Sequence, residues 1–91
     1  MINAGLVGLG WWGGALLRML KGSDALTFKA ATDIDPSRRG VAEQNGAAFL
    51  DSFEALLDDP GIEAIVLCTP HDAHANQITA AARAGKHVLL V

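Results

Sequence analysis

Short apolar runs of strand length alternate along this chain with segments whose apolar residues recur at helical spacing. Residues 4–7 predict a first strand that ends in Gly8, and a helix follows over about 12–21 with Leu16, Leu17 and Leu20 on one face. A second strand covers 26–32. Asp35-Pro36 then opens a helix: the Asp35 carboxylate can accept from first-turn amides, and proline suits a position whose N–H has no partner in any case. That helix runs to about Asn45 and stops at Gly46, a good left-handed terminator. Residues 47–50 form a short strand, and Ser52 caps a short helix carrying Phe53, Leu56 and Leu57. After the turn Asp59-Pro60-Gly61, the run Ala64-Ile65-Val66-Leu67-Cys68 is apolar without alternation, as in a central strand covered on both faces. Asp72 caps a helix to about Arg83 that Gly85 ends, and residues 88–91 begin a fifth strand. Strands alternating with helices predict the α/β class: a parallel sheet whose crossover helices cover both faces.

Composition narrows the function classes. The 91 residues, 51% apolar and 19% charged, make one domain at most. No run approaches the roughly 18 apolar residues of a membrane helix. The start, Met1-Ile2-Asn3-Ala4, lacks the basic residues and long apolar run of a secretory signal, and Cys68 is the single cysteine. A cytoplasmic protein is the expectation. Net charge −3 and pI near 5.4 offer nothing to a polyanion, so neither nucleic acid nor membrane is an expected partner. The chain stops inside an apolar strand, which reads as truncation, and its uncovered edge predicts self-association.

Gly8-Leu9-Gly10-Trp11-Trp12-Gly13 has the GxGxxG form between first strand and first helix. The first glycine allows the tight turn, and the second lets backbone approach a pyrophosphate. The third lets the helix pack closely on the strand, whose free first-turn amides then face the phosphates. Asp33 ends the second strand twenty positions after Gly13, where a dinucleotide fold places an acid on the adenosine ribose. These features predict a Rossmann-type doubly wound sheet of strand order 3-2-1-4-5, with its crevice at the carboxyl ends of the strands. A carboxylate at Asp33 accepts from a 2′-hydroxyl and repels a 2′-phosphate, so NAD is favoured. Ser37-Arg38-Arg39 is the competing signal for NADP, although a solvated face is the commoner use of such a run.

Leu67-Cys68-Thr69-Pro70-His71-Asp72-Ala73-His74 and Ala84-Gly85-Lys86-His87-Val88-Leu89-Leu90-Val91, with the Asp58-Asp59-Pro60-Gly61-Ile62 turn, closely resemble the oxidoreductase family named for glucose–fructose oxidoreductase and inositol dehydrogenase (Gfo/Idh/MocA). The resemblance spans nearly the whole chain. It implies that Gly8, Gly10 and Gly13, with the amides of Trp11 and Trp12, hold the pyrophosphate. Asp33 would hold the adenosine ribose, with Ile34 near the adenine. Thr69 and Pro70 would line the pocket towards the nicotinamide, and His74 would stand beside it in the next helix. Family members continue into a Glu-Lys-Pro segment and a second α/β domain that supply the catalytic groups and the substrate pocket. On that resemblance these residues contain no catalytic residue. The parent would transfer hydride between NAD(P) and a hydroxyl carbon of a sugar, polyol or related small molecule, as a homo-oligomer.

Plainer readings compete at several positions. His71, Asp72 and His74 surround a strand–helix junction without a fourth partner, so no metal is expected. Cys68 reads as a small buried filler rather than a nucleophile. Trp12 is expected to pack inward, with Trp11 over the loop or in solvent; Arg83 and Lys86 are expected to face solvent. A non-catalytic NAD-sensing module is the alternative function, since the same fold serves regulators. A nucleoside-binding methyltransferase also uses a glycine loop and an acid, but lacks the Thr-Pro, His and Gly-Lys-His-Val set.

Overall fold

The computed structural model describes residues 2–69 and 71–91, with residues 71–73 described at the level of the backbone. Five parallel strands form one sheet: β1 Ile2–Val7, β2 Leu26–Thr32, β3 Ala48–Phe49, β4 Ala64–Leu67 and β5 His87–Leu90, in the order β3-β2-β1-β4-β5. Between them run α1 Trp11–Leu20, α2 Arg39–Gln44, α3 Phe53–Leu57 and α4 His71–Arg83. The expected architecture and strand order are therefore present. Successive side chains of a strand point to opposite faces. Ala4 and Leu6 of β1, with Ala64 and Val66 of β4, accordingly enter one apolar cluster, closed by Leu17 of α1 and Ala42 of α2. Val7, Ile65 and Leu67 enter the other, closed by Leu56 of α3 and Ala81 of α4. Both central strands are buried on both faces, which is why β4 shows no alternation.

Glycine-ended helices behave as their sequence predicts. After α2, Gly46 takes φ +83° and donates to the Glu43 carbonyl, while Ala47 N–H reaches Ala42 O at 3.0 Å. After α4, Gly85 takes φ +77° and donates to Ala82, while Lys86 N–H reaches Ala81 O at 3.0 Å. Both are paired bonds that satisfy the last carbonyls of a helix around a left-handed residue. Ser52 caps α3, its hydroxyl accepting from Ala55 N–H at 3.1 Å.

The helix expected from Asp35 to Asn45 is instead two pieces. A 3-10 turn at Pro36–Arg38 precedes α2. The cause is local: the Asp35 side chain accepts from Ser37 N–H at 3.0 Å, and Arg38 N–H bonds back to Asp35 O at 3.1 Å, an i to i+3 spacing that tightens the first turn. Lys29 departs from the β2 ladder. Ala4 pairs with Phe28 and Gly5 with Ala30, so Lys29 stands opposite no β1 residue and its ammonium reaches the Asp59 carboxylate at 3.0 Å. Lys86 is not solvent-facing: its ammonium donates to Asp59 O at 2.9 Å and Ile62 O at 2.6 Å. The turn before β4 is thus tied down by two lysines, Lys29 of β2 and Lys86 just ahead of β5.

Candidate dinucleotide site

The carboxyl ends of β1, β2 and β4 meet where the strand order reverses, and a cleft of about 770 Å³ opens there. That size lies within the usual range of roughly 300–1,000 Å³ for small-molecule sites. Its floor is the glycine loop. Gly8 turns the chain at φ +97°, and a Cβ there would meet the Cys68 carbonyl oxygen at 2.8 Å. Gly13 brings the first turn of α1 onto β1 so closely that a Cβ would overlap the Gly8 carbonyl oxygen. Gly10 differs: a Cβ there would find only an Arg38 nitrogen, 3.9 Å away. It is the N-cap of α1 and offers no side chain to the first-turn amides of residues 10–13, which therefore need an acceptor from elsewhere.

Asp33 links this loop to the end of β2. One carboxylate oxygen accepts from Leu9 N–H at 2.7 Å and the other from Asp35 N–H at 2.8 Å. Both bonds use backbone donors and leave further lone pairs on a half-buried carboxylate at the cleft wall. Leu9 itself is 1% exposed, so its side chain anchors the loop in the core beneath. Thr69 lines the opposite wall, its hydroxyl donating to the Gln77 side-chain carbonyl at 2.7 Å. Ile34 lines the cleft with its side chain fully in solvent.

Several expectations need correction. Trp12 does not pack inward. Trp11 and Trp12 are 73% and 63% exposed and meet edge to face, centroids 4.8 Å apart. The buried positions of α1 are Gly13, Gly14 and Leu17, so the two indoles fall outside its core-facing side. Arg38 is not merely on a solvated face, since its guanidinium donates to Leu9 O at 2.9 Å. His74 lies in the first turn of α4 and is buried, but it is not among the residues that line the cleft. Pro70 lies outside the described residues, as do the side chains of His71 and Asp72. Burial raises the Cys68 thiol pKa above its ordinary range, which keeps it protonated at neutral pH. Among the described residues, no three His, Cys, Asp or Glu side chains stand together in a way that could hold a metal ion.

Two parts of the cleft had no sequence reading as site. Gln77 enters it from the second turn of α4, and the β3–α3 junction supplies a wall from Asp51 to Glu54. Ser52 and Phe53 carry a signal only as a cap and an apolar helix position. Nothing in their spacing reveals that the junction faces the crevice.

A glycine loop under a helix N-terminus, an acid bonded to that loop and an open crevice at the switch point define a dinucleotide-binding module of the Rossmann class. Comparison with known proteins makes the assignment specific. Residues 2–90 match the profile of the oxidoreductase family with the NAD-binding Rossmann fold, Gfo/Idh/MocA, and the chain belongs to that family. It is 33% identical over 90 residues to the myo-inositol 2-dehydrogenase of Thermotoga maritima, covering 96% of this chain and 27% of the relative. Among solved structures, a putative myo-inositol dehydrogenase from Sinorhizobium meliloti superposes with TM-score 0.90 at 30% identity, covering 99% of this chain and 27% of that one. A 3-ketoreductase from Actinomadura kijaniata in complex with NADP superposes with TM-score 0.89 at 27% identity, over 98% of this chain and 29% of that one. The chain spans about a quarter of the length of the curated relatives it matches.

Proposed function

We propose that these residues bind NAD in the crevice and present it to a substrate held by other parts of an oxidoreductase. The observation that carries the reading is the Asp33 carboxylate, bonded to the glycine loop through Leu9 N–H and open to the cleft. The space fits the cofactor: Gly10 has room where Gly8 and Gly13 have none. Gly8, Gly10 and Gly13, with the amides of Trp11 and Trp12, would receive the pyrophosphate, and the partial positive charge of the α1 N-terminus favours it there. Asp33 would accept from the adenosine ribose hydroxyls, and Ile34 would lie against the adenine. Thr69 and Pro70 would line the far half of the pocket, with His74 supporting that wall from within α4.

A nicotinamide so held takes or gives a hydride, while the protein positions it and excludes water. The proposed whole-protein reaction is hydride exchange with a hydroxyl carbon of a sugar or polyol. Its catalytic groups and substrate pocket would lie outside residues 1–91, in a cytoplasmic homo-oligomer that binds neither nucleic acid nor membrane. Among the described residues no helix is long and apolar enough to cross a membrane. NADP is the second cofactor reading, because the Arg38 guanidinium reaches Leu9, the same loop residue that Asp33 holds, and a related structure holds NADP.

Fluorescence titration tests this directly. The chain has two tryptophans, both at the start of α1. NADH should quench their emission saturably and more tightly than NADPH. Tighter binding of NADPH would reverse the cofactor preference, and no response to either would remove the reading.

A further inference from the structure

We infer that Arg38 is a positioning residue for the phosphate loop, holding the Leu9–Gly10 peptide plane from behind so that the loop stays shaped for a pyrophosphate. The inference rests on the dinucleotide reading above.

Two successive peptide units of the loop are pinned by side chains from one distant segment. Asp33 takes the N–H of the Gly8–Leu9 peptide at 2.7 Å, across 24 positions of sequence. Arg38 gives a hydrogen bond to the carbonyl of the Leu9–Gly10 peptide at 2.9 Å, across 29 positions. A peptide unit is planar and trans, so its C=O and N–H point in opposite directions. Fixing the Leu9 carbonyl against the guanidinium therefore fixes the direction of the Gly10 N–H on the other side. That N–H is the first of the α1 N-terminal donors, which have no partner within the helix.

Without such a hold this peptide would be free to turn. Leu9 is flanked by Gly8 and Gly10, and glycine lacks the Cβ that restricts neighbouring dihedrals. The Leu9 side chain is buried and anchors the residue, but it does not set the plane of the following peptide. Arg38 is itself oriented by its place at the end of the 3-10 turn, with the Asp35 carboxylate 3.9 Å from its Nε. The segment that carries the ribose-binding acid thus also carries the clamp on the phosphate loop. Binding at one end of the crevice and order at the other are joined through a single residue, Leu9.

The test is an amide-resolved NMR titration of the chain with adenosine and with ADP. It compares the unsubstituted chain, Arg38→Met, Arg38→Lys and Arg83→Met, an equal charge change on the exposed end of α4. Each titration is run at about 0.05 M and about 0.5 M salt, between which the screening length falls roughly threefold. Arg38→Met should weaken ADP about tenfold, as expected for losing one charge-assisted hydrogen bond. The loss should persist at both salt levels, adenosine should change less than twofold, and the Gly10 amide should shift in the free protein. Arg38→Lys, which keeps a donor, should recover most of the ADP affinity, and Arg83→Met should behave as unsubstituted.

Unchanged ADP affinity in Arg38→Met overturns the inference. So does a loss that vanishes in high salt, which would make Arg38 a direct charge on the phosphates. An equal loss for adenosine, or a collapsed spectrum, would make it a folding residue instead. Failure of the unsubstituted chain to bind ADP is a different result, and it overturns the function reading itself.

Discussion

The same substitution at two adjacent glycines should change stability in opposite directions. Gly13→Ala places a methyl group where the Gly8 carbonyl oxygen already stands, so α1 must withdraw from β1 or the strand must yield. Neither neighbour is a flexible side-chain end. Overpacking of this kind costs about 1–3 kcal/mol, and backbone against backbone belongs at the upper end. Gly14→Ala puts the same methyl 3.5 Å from Val41 and from the Arg18 guanidinium, ordinary contact distances. It gains the helix preference of alanine over glycine, about 0.5–1 kcal/mol. For a chain of this size 1 kcal/mol moves the melting temperature by roughly 4–8 °C. Thermal unfolding followed by circular dichroism should therefore show Gly13→Ala melting at least about 10 °C below the unsubstituted chain and Gly14→Ala a few degrees above it. A Gly13→Ala variant as stable as the parent would refute the close approach of α1 to β1. Destabilisation of Gly14→Ala by a similar amount would show that the region tolerates no added volume at all, and the distinction between the two glycines would fail.

Two further outcomes follow from charge and burial. Asp59 has its pKa lowered, first by the Lys29 hydrogen bond and then by Gly61 N–H, so its contribution is present above the ordinary carboxylate pKa and is lost as pH falls through the lower folded value. The melting-temperature gap between the parent and Lys29→Met should accordingly be present at neutral pH and close in acid; a gap that stays constant from neutral pH into strong acid would contradict the pairing. Cys68 has its pKa raised by burial, so it should react slowly with iodoacetamide at neutral pH, speed up only above the ordinary thiol range, and be protected by NAD because it lines the cleft. Rapid alkylation at neutral pH, or a rate indifferent to saturating NAD, would count against that placement.

Much of this architecture is written in local pattern. The unbroken apolar run at Ala64–Leu67 marks a strand with two covered faces, and Gly46 and Gly85 mark helix ends because only the residue after a helix needs φ above zero there. Gly8, Gly10 and Asp33, which line the crevice, were legible from the GxGxxG spacing only together with its place between strand and helix and the acid that ends the next strand. What spacing does not carry is long-range polar contact. Arg38 reaches Leu9, Lys29 reaches Asp59 and Lys86 reaches two carbonyls, each across more than twenty positions. A long charged side chain has many surface destinations, and its sequence neighbours do not choose among them. The exposed indole of Trp12 was hidden for another reason: an aromatic near a helix start reads as core, whereas the buried positions of α1 are Gly13, Gly14 and Leu17. The 3-10 turn at Pro36–Arg38 depends on which donor the Asp35 carboxylate finds, here Ser37 N–H, a competition that periodicity does not register.

The central claim is that Asp33 and the glycine loop together form an NAD site, and isothermal titration calorimetry of the chain with NAD, set beside its Asp33→Ala variant, tests it most directly. A carboxylate accepting from ribose hydroxyls contributes about 1.5–3 kcal/mol, so the variant should bind NAD at least about tenfold more weakly. Discrimination against NADP should narrow in the same variant, because the repelling charge is gone. NAD binding of equal strength in parent and variant, with the variant still folded, would contradict the account.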